Sequence, residues 1–351
     1  MTANTGQGPT TDSPEPLTIK EIARLTGVSI GTVDRVLHNR GRVSVENVAK
    51  IQSLIADRGY TPNLFASRLS AGETRTVGVV VPKPDQDFGY WGLIADGMEK
   101  AAQELQPLKL HVRFETFDRQ SPDSLARAFQ AVADADGLAV APIHVLALRP
   151  LVERLPETKP LVFFDTDMEC GRTRCFVGQD PWTGGAVAAR LLGLAAGPKA
   201  VLGVIRFDED DEHLQVRSRA FAETGSAAGA AVHMLNQAMS SPLDVRLEQV
   251  RSFLTARGID GLFVPNASVG EYAAAAPRHA AGYDLTPGNQ TALQDGRLDF
   301  LLSQRPQVMG HETVLRLGRA LLFREELPRR IAMPLDIILK ENLAGHLERA
   351  R

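Results

Sequence analysis

Between residues 76 and 281, short apolar runs rich in β-branched side chains alternate with longer segments of helical period. That alternation restricts the fold more than any other feature of the chain. Strands separated by helices pair in parallel and must be covered on both faces. Strand-like runs fall at 76–81, 110–117, 137–142, 160–165, 200–207, 232–239 and 261–265. Helix-like segments fall at 90–106, 121–133, 146–155, 184–196, 214–227 and 243–257, and a last one is expected inside 271–281. The pattern runs in two sets of about 100 and 130 residues, which implies two doubly wound subdomains. Ligands of such sheets sit at the carboxyl ends of the strands, so two subdomains facing each other line a common cleft. No repeat of fixed period relates the two sets, so the duplication lies in the architecture.

At 351 residues the chain has room for two or three folded units with ample core. Its apolar runs stay well short of the ~18–20 residues of a membrane span. Residues 1–16 are polar, contain Pro and Gly and lack an apolar stretch. They do not read as a secretory signal, so a cytoplasmic location is expected. Cys170 and Cys175 are too few for a disulfide scaffold and read as reduced thiols. The motifs G-x-G-x-x-G, the Walker loop and H-E-x-x-H do not occur, and neither catalysis nor a cofactor is expected. The formal charge of −3 conceals a segregation. Residues 17–71 hold eight Lys and Arg against four Asp and Glu, whereas residues 76–351 hold 30 against 35. A small basic head on an acidic body is the footprint of a nucleic-acid module joined to something else.

The head reads as three short helices. Thr18 and Glu21 have capping-box spacing, Ile22, Ala23 and Leu25 supply an apolar face, and Gly27 stops the helix. Ser29 can cap a second helix to about residue 38, with Val33, Val36 and Leu37 turned inward and Ile30, Gly31, Asp34 and Arg35 outward. A third helix, about 44–58, is expected to bury Val48, Ile51, Leu54 and Ile55. This is the helix-turn-helix arrangement, in which the second helix enters the major groove. Arg35 suits a bidentate contact to guanine, Ile30 a thymine methyl, and Gly31 permits close approach. The same spacing also fits a plain helical bundle with a solvated polar face.

Residues 18–44, TIKEIARLTGVSIGTVDRVLHNRGRVS, and 59–82, GYTPNLFASRLSAGETRTVGVVVP, resemble the lactose-repressor family of bacterial transcription regulators. The resemblance implies that Ile30, Gly31 and Arg35 read the operator; Thr18, Ser29, Thr32 and Asn39 complete the candidate DNA-binding set in the head. The chain departs from the family at Asp34, where a serine usually touches phosphate, and this points to an altered operator preference. Residues 62–71 can form one helix, capped by Thr61 with Pro62 in its first turn, but about ten residues are marginal alone. Leu64, Phe65 and Leu69 are too apolar for a spacer, and leucine can wedge between base steps in the minor groove. The resemblance assigns that wedge to Leu69, with Ala66 at the close approach to DNA; packing of Leu69 against the body is the competing reading.

In the body, polar and aromatic residues cluster at the expected strand ends. Tyr90 and Trp91 follow the first strand and can stack on a sugar ring. Asp165 ends LVFFD, Arg217 lies early on a helix, Asn266 ends GLFVPN, Asp284 ends AGYD, and Gln304 sits in LLSQRP. Groups with several donors and acceptors suit vicinal hydroxyls. The body resembles the periplasmic sugar-binding-protein fold of the ribose-binding type, which implies that each of these seven residues meets the ligand. Arg305 departs from that pattern: facing the cleft it would favour an anionic ligand, and facing outward it would have no such meaning. Asp208–Asp211 read as a solvated loop, His213 is expected at the surface, and no metal site is assigned.

The expected architecture is therefore an all-α helix-turn-helix head plus an α/β two-lobed periplasmic-binding-protein-like body with two doubly wound parallel-sheet subdomains. Residues 1–16 form a disordered tail, 17–61 the DNA-binding domain, 62–75 the hinge and 76–351 the ligand-binding and dimerisation domain. Its lobes are expected at about 76–180 plus 306–330, and 181–305 plus 331–351. The function these parts imply is a homodimeric repressor of double-stranded operator DNA, relieved by a sugar-like effector, with no membrane partner. A solute-binding protein of a transport system is the alternative.

Overall fold

Thr18 opens the first helix, α1 (Ile19–Thr26), by accepting the Glu21 N–H on its hydroxyl oxygen at 3.2 Å. The helix ends at Gly27, whose φ of +71° is a conformation that costs glycine little. Ser29 caps α2 (Ile30–Leu37), accepting the Thr32 N–H at 3.2 Å, and α3 (Val45–Arg58) follows. Ile22, Ala23, Val33 and Ile51 form the buried centre, flanked by partly buried Ile19, Val28, Val36, Leu37, Leu54 and Ile55. Leu25, expected inside, is 40% exposed. Ile19, Ile22 and Ala23 already fill the stripe of α1 that meets its neighbours, leaving Leu25 beyond it. Val48 is only partly buried. These observations come from a computed structural model that describes residues 18–37, 41, 43–58, 73–172, 174–207 and 211–349. The chain divides into two compact units, Met1–Ala71 and Gly72–Arg351.

The second unit contains two six-stranded sheets. The first has the order β11-β5-β4-β3-β1-β2, and all its pairs are parallel. Its strands are β1 (Arg75–Pro82), β2 (Leu110–Phe117), β3 (Gly137–Val140), β4 (Leu161–Phe164), β5 (Cys175–Gly178) and β11 (Arg330–Ala332). β3 and β4 are buried along their whole length, which is why they read as unbroken apolar runs. Helix α4 (Tyr90–Leu105) packs along α12 (Pro306–Phe323) over this sheet, with α5 (Pro122–Val132) and α6 (Val145–Glu153) completing the lobe. The contact between α4 and α12 is made backbone to backbone. A Cβ on Gly97 would lie 1.9 Å from the Gln307 carbonyl oxygen, and one on Gly310 2.1 Å from that of Ile94.

The second sheet runs β12-β10-β9-β8-β6-β7 and is parallel except for β12, which lies antiparallel to β10 at its edge. Its strands are β6 (Val201–Phe207), β7 (Ala231–Gln237), β8 (Gly261–Phe263), β9 (His279–Tyr283), β10 (Phe300–Ser303) and β12 (Asp336–Ile338). Around it stand α7 (Pro181–Ala196), α8 (Glu212–Ala227), α9 (Leu243–Arg257), α10 (Val269–Tyr272), α11 (Pro287–Gln294) and α13 (Leu343–Arg349). The helix expected inside 271–281 is not there. Only the last two residues of α10 enter that range, and residues 279–281 belong to β9, where parallel neighbours on both sides satisfy an apolar run too short for a helix turn pattern. Helix α7 begins three residues earlier than expected because Asp180 caps it, accepting from Thr183 N–H at 3.1 Å with Pro181 in the first turn. The chain passes between the sheets after β5, after β10 and between β11 and β12.

Candidate functional site

In the head, α2 turns Ile30, Gly31 and Arg35 outward; Ile30 is 51% exposed. Ser29 and Thr32 are engaged with each other, their hydroxyl oxygens 2.9 Å apart, and Thr18 is engaged in its own cap. Asn39, Ala66 and Leu69 lie outside the described residues.

In the body, the structure brings Tyr90, Trp91, Asp165, Arg217, Asn266, Asp284 and Gln304 to the walls of one cleft between the two sheets. The carboxyl ends of β1 and β4 supply Tyr90, Trp91 and Asp165 from the first lobe. Those of β8, β9 and β10, with the second turn of α8, supply Asn266, Asp284, Gln304 and Arg217 from the second. Asp165 and Asp284 both adopt left-handed backbone conformations, with φ of +67° and +61°. Such conformations are costly away from glycine and aim each carboxylate away from its strand.

Gln304 is the centre of the network. Its Nε2 donates to the Tyr90 oxygen at 2.6 Å and to Asp284 Oδ2 at 3.2 Å, and its Oε1 accepts from Arg217 Nη2 at 3.0 Å. Tyr90 in turn donates to Asp165 Oδ1 at 2.5 Å. Asp284 Oδ1 accepts from Gln304 N–H at 3.2 Å and from the Ser303 hydroxyl at 3.3 Å. The Arg217 guanidinium lies 3.8 Å over the Tyr283 ring and donates to the Pro265 carbonyl at 3.0 Å. Asn266 accepts from Ser268, and Trp91 Nε1 donates to Asp87 Oδ2 at 2.6 Å while meeting Tyr90 edge-on.

Burial sets the acid–base character of this cleft. It pushes the Asp165 carboxyl up to about 7 despite the Tyr90 hydrogen bond and Arg217, and Asp284 up to about 6 despite Arg217 and Gln304. Burial also raises Asp87, against the pull of Arg119. His213 is held well below its ordinary value, first by burial and then by Arg217 and Arg119, so it is neutral.

Among the lining residues that sequence reasoning did not assign to the cleft, four carry polar side chains: Asp87, Arg119, Asp211 and His213. His213, expected at the surface, is mostly buried, and its Nδ1 lies 2.7 Å from the Thr166 hydroxyl of the opposite lobe. Asp211, expected in a solvated loop, is buried and paired with Arg119, again across the cleft. Burial next to a guanidinium replaces the water that an isolated carboxylate would keep. A signal for the histidine was present, because His213 and Arg217 stand four residues apart on one face of α8. Arg119 follows the carboxyl end of β2, the same position class as the residues that were assigned. Arg305 does not line the cleft. It turns away and forms a two-pronged ion pair with Asp336, both distances 2.8 Å, so it gives no reason to expect an anionic ligand.

Behind the crossovers lies a second cavity of about 450 Å³, lined by Gly97, Lys100 and His311 of the first lobe and by Leu285, Arg305 and Asp336 of the second, among others. The loops after β9 and β10 line both spaces: Asp284 and Gln304 face the cleft, whereas Leu285, Ser303 and Arg305 face the rear cavity. Among the described residues, no cluster of three His, Cys, Asp or Glu side chains is placed to hold a metal ion, and no helix is long and apolar enough to cross a membrane.

Two family models match the chain. The one described as periplasmic binding protein domain covers residues 77–323, and the one described as bacterial regulatory proteins, lacI family, covers residues 18–63. The HTH-type transcriptional regulator DegA of Bacillus subtilis is 36% identical over 88 residues, which span 25% of this chain and 26% of that protein. Among solved structures, one from Bacteroides fragilis assigned to the LacI transcriptional regulators superposes with a TM-score of 0.70 at 22% identity, covering 78% of this chain and 99% of its own. GanP, a glucose-galactose binding protein from Geobacillus stearothermophilus, gives a TM-score of 0.65 at 22% identity over 77% of this chain and 99% of its own. The chain spans about a quarter of the length of the curated relative it matches, and the structural likenesses bear on the fold alone. The chain belongs to the periplasmic binding protein domain family over most of its length, and joins that body to a head of the lacI family of bacterial regulatory proteins.

Proposed function

We propose that the chain is a sequence-specific transcription regulator, a cytoplasmic homodimer that represses from double-stranded operator DNA. A sugar-like molecule in the interlobe cleft changes its operator affinity. One observation carries this reading. A single chain joins a lacI-family head that presents positions 30, 31 and 35 outward to a cleft walled by hydrogen-bonding side chains. GanP, which shares the body fold, is a glucose-galactose binding protein, and this supports a sugar as the ligand class. A transport protein has no use for a DNA-reading head.

In this reading Arg35 meets guanine, Ile30 a thymine methyl, and Thr18, Ser29, Thr32 and Asn39 support the contact. Leu69 and Ala66 take the minor groove. In the sensor, Tyr90 and Trp91 stack on the ring, while Asp165, Arg217, Asn266, Asp284 and Gln304 bind hydroxyls. Interactions that tie the lobes across the cleft include Tyr90 and Asp165 to Gln304, Thr166 to His213 and Arg119 to Asp211. The free space in the cleft is about 30 Å³, room for a water or two and not for a sugar ring. A sugar ring therefore enters only as those ties yield, and the lobes move relative to each other. β1 begins at Arg75, directly after the linker, so a displacement of the first lobe reaches the hinge through the chain itself.

The test is selection of duplexes from a randomised pool by the full chain, followed by binding measurements with and without sugars. The selected site should bind about 10³-fold tighter than random DNA, and Arg35→Ala should remove most of that preference. An effective sugar should weaken operator binding about tenfold or more; Asp284→Ala should erase that response and leave sugar-free affinity within about twofold. Equal affinity for every duplex would refute the regulator reading.

A further inference from the structure

We propose that the ligand of this cleft is a polyol carrying one protonated amine, of which an aminohexose is the simplest member. The inference rests on the sugar reading above and sharpens it. It comes from the balance of formal charge on the cleft walls. Among the described residues, four carboxyl groups line the space, Asp87 and Asp165 from the first lobe and Asp211 and Asp284 from the second, against two guanidinium groups, Arg119 and Arg217. Burial leaves one of these acids, Asp165, partly protonated near neutral pH, and a bound cation would draw it into the ionised form.

Two cations face four acids: Arg217 favours the ionised forms of Asp165 and Asp284 through space, and Arg119 that of Asp87. Arg119 is shared, its Nε 2.8 Å from Asp87 Oδ2 and its Nη2 on Asp211, so one positive charge serves two negative ones. Arg217 spends its terminal nitrogens on neutral oxygens, those of Gln304, Pro265 and Gln179. Asp284 is held by a hydroxyl and two amide N–H donors, and Asp165 by the Tyr90 hydroxyl and the Gln304 amide. His213 adds no charge, because burial and the two arginines keep it neutral.

A carboxylate in such a place is satisfied in hydrogen bonds but not in charge. A neutral hydroxyl leaves that excess where it is. An acid sugar or a phosphate adds to it. An ammonium group offsets it, and donates hydrogen bonds to the same oxygens. Asp165 Oδ2 is the atom best placed to receive one. Among the described residues it accepts a 3.5 Å contact from the Thr166 hydroxyl and lies 4.0 Å from His213 Nε2, at the seam between the lobes.

The experiment is calorimetric titration of the full chain at neutral pH with matched sets: hexose, 2-amino-2-deoxyhexose and hexuronate, each in the gluco, galacto and manno configurations. One aminohexose should bind at least about tenfold tighter than its parent hexose, and its hexuronate no tighter than that hexose. In Asp165→Asn the ratio of amine to hydroxyl should fall towards one. Asp211→Asn, which removes a carboxylate without touching Tyr90 or Gln304, should lower the same ratio and keeps the test informative should Asp165→Asn misfold. A hexose that binds as tightly as its amine overturns the proposal and leaves the sugar site standing. A hexuronate that binds tightest overturns it as well. Silence across the whole set overturns both the amine and the sugar reading.

Discussion

Asp165 stands where two demands oppose each other: it must keep oxygens ready for hydrogen bonding in a place that water does not reach. The opposition has a thermodynamic signature. Its carboxyl is raised from 3.8 to about 7 by burial, so the folded chain holds that proton more tightly than the unfolded chain does. The stabilisation this supplies is complete below about pH 4 and is lost as pH rises through about 7; Asp284, raised to about 6, acts in the same direction. Thermal unfolding of the chain between pH 5 and 8 should therefore show the melting temperature falling with pH by several degrees, and Asp165→Asn should flatten the slope. A wild-type slope of the opposite sign would mean that Asp165 is not buried as described. At this scale the sequence was most legible where a residue type ends an apolar run, as with LVFFD and AGYD. Asp211 was harder to read because its role depends on Arg119, 92 positions away in the chain. No local pattern reports a partner at that separation.

The elements were legible in proportion to how much local sequence decides them. Strand β2 and helix α9 fall where periodicity places them, and the caps at Thr18 and Ser29 were readable from spacing. The four-residue strand β5 escaped notice because Cys175–Gly178 is too short for a pattern and is held by neighbours on both sides. The crossing of α4 and α12 escaped for another reason. Gly97 and Gly310 sit inside helices, where glycine looks like a weak choice until the opposing backbone is in view. Each allows a carbonyl of the other helix to approach where a methyl group would stand. Gly97→Ala must push α12 away from α4 and should cost about 3 kcal/mol in chemical denaturation, although alanine is the better helix former. A neutral or stabilising effect would show that the two helices do not meet at this point.

For the whole molecule, net charge is the wrong measure and its distribution the right one. The head region carries an excess of four positive charges and the body an excess of five negative ones, so the two repel and attract different things. Operator binding should weaken steeply with salt, with a log–log slope of about −0.9 for each phosphate contacted, while sugar binding should change little over the same range. A flat salt profile for DNA would argue against phosphate contact by the head. The floor shared by the cleft and the rear cavity has a consequence for how such a protein diversifies. Positions 284 and 304 cannot change for the ligand's sake without disturbing neighbours at 285, 303 and 305 that face the other way. Asp87, Arg119 and His213 line the cleft and have no part in the rear cavity. Descendants of this chain with new tastes should have altered those walls first and kept the floor.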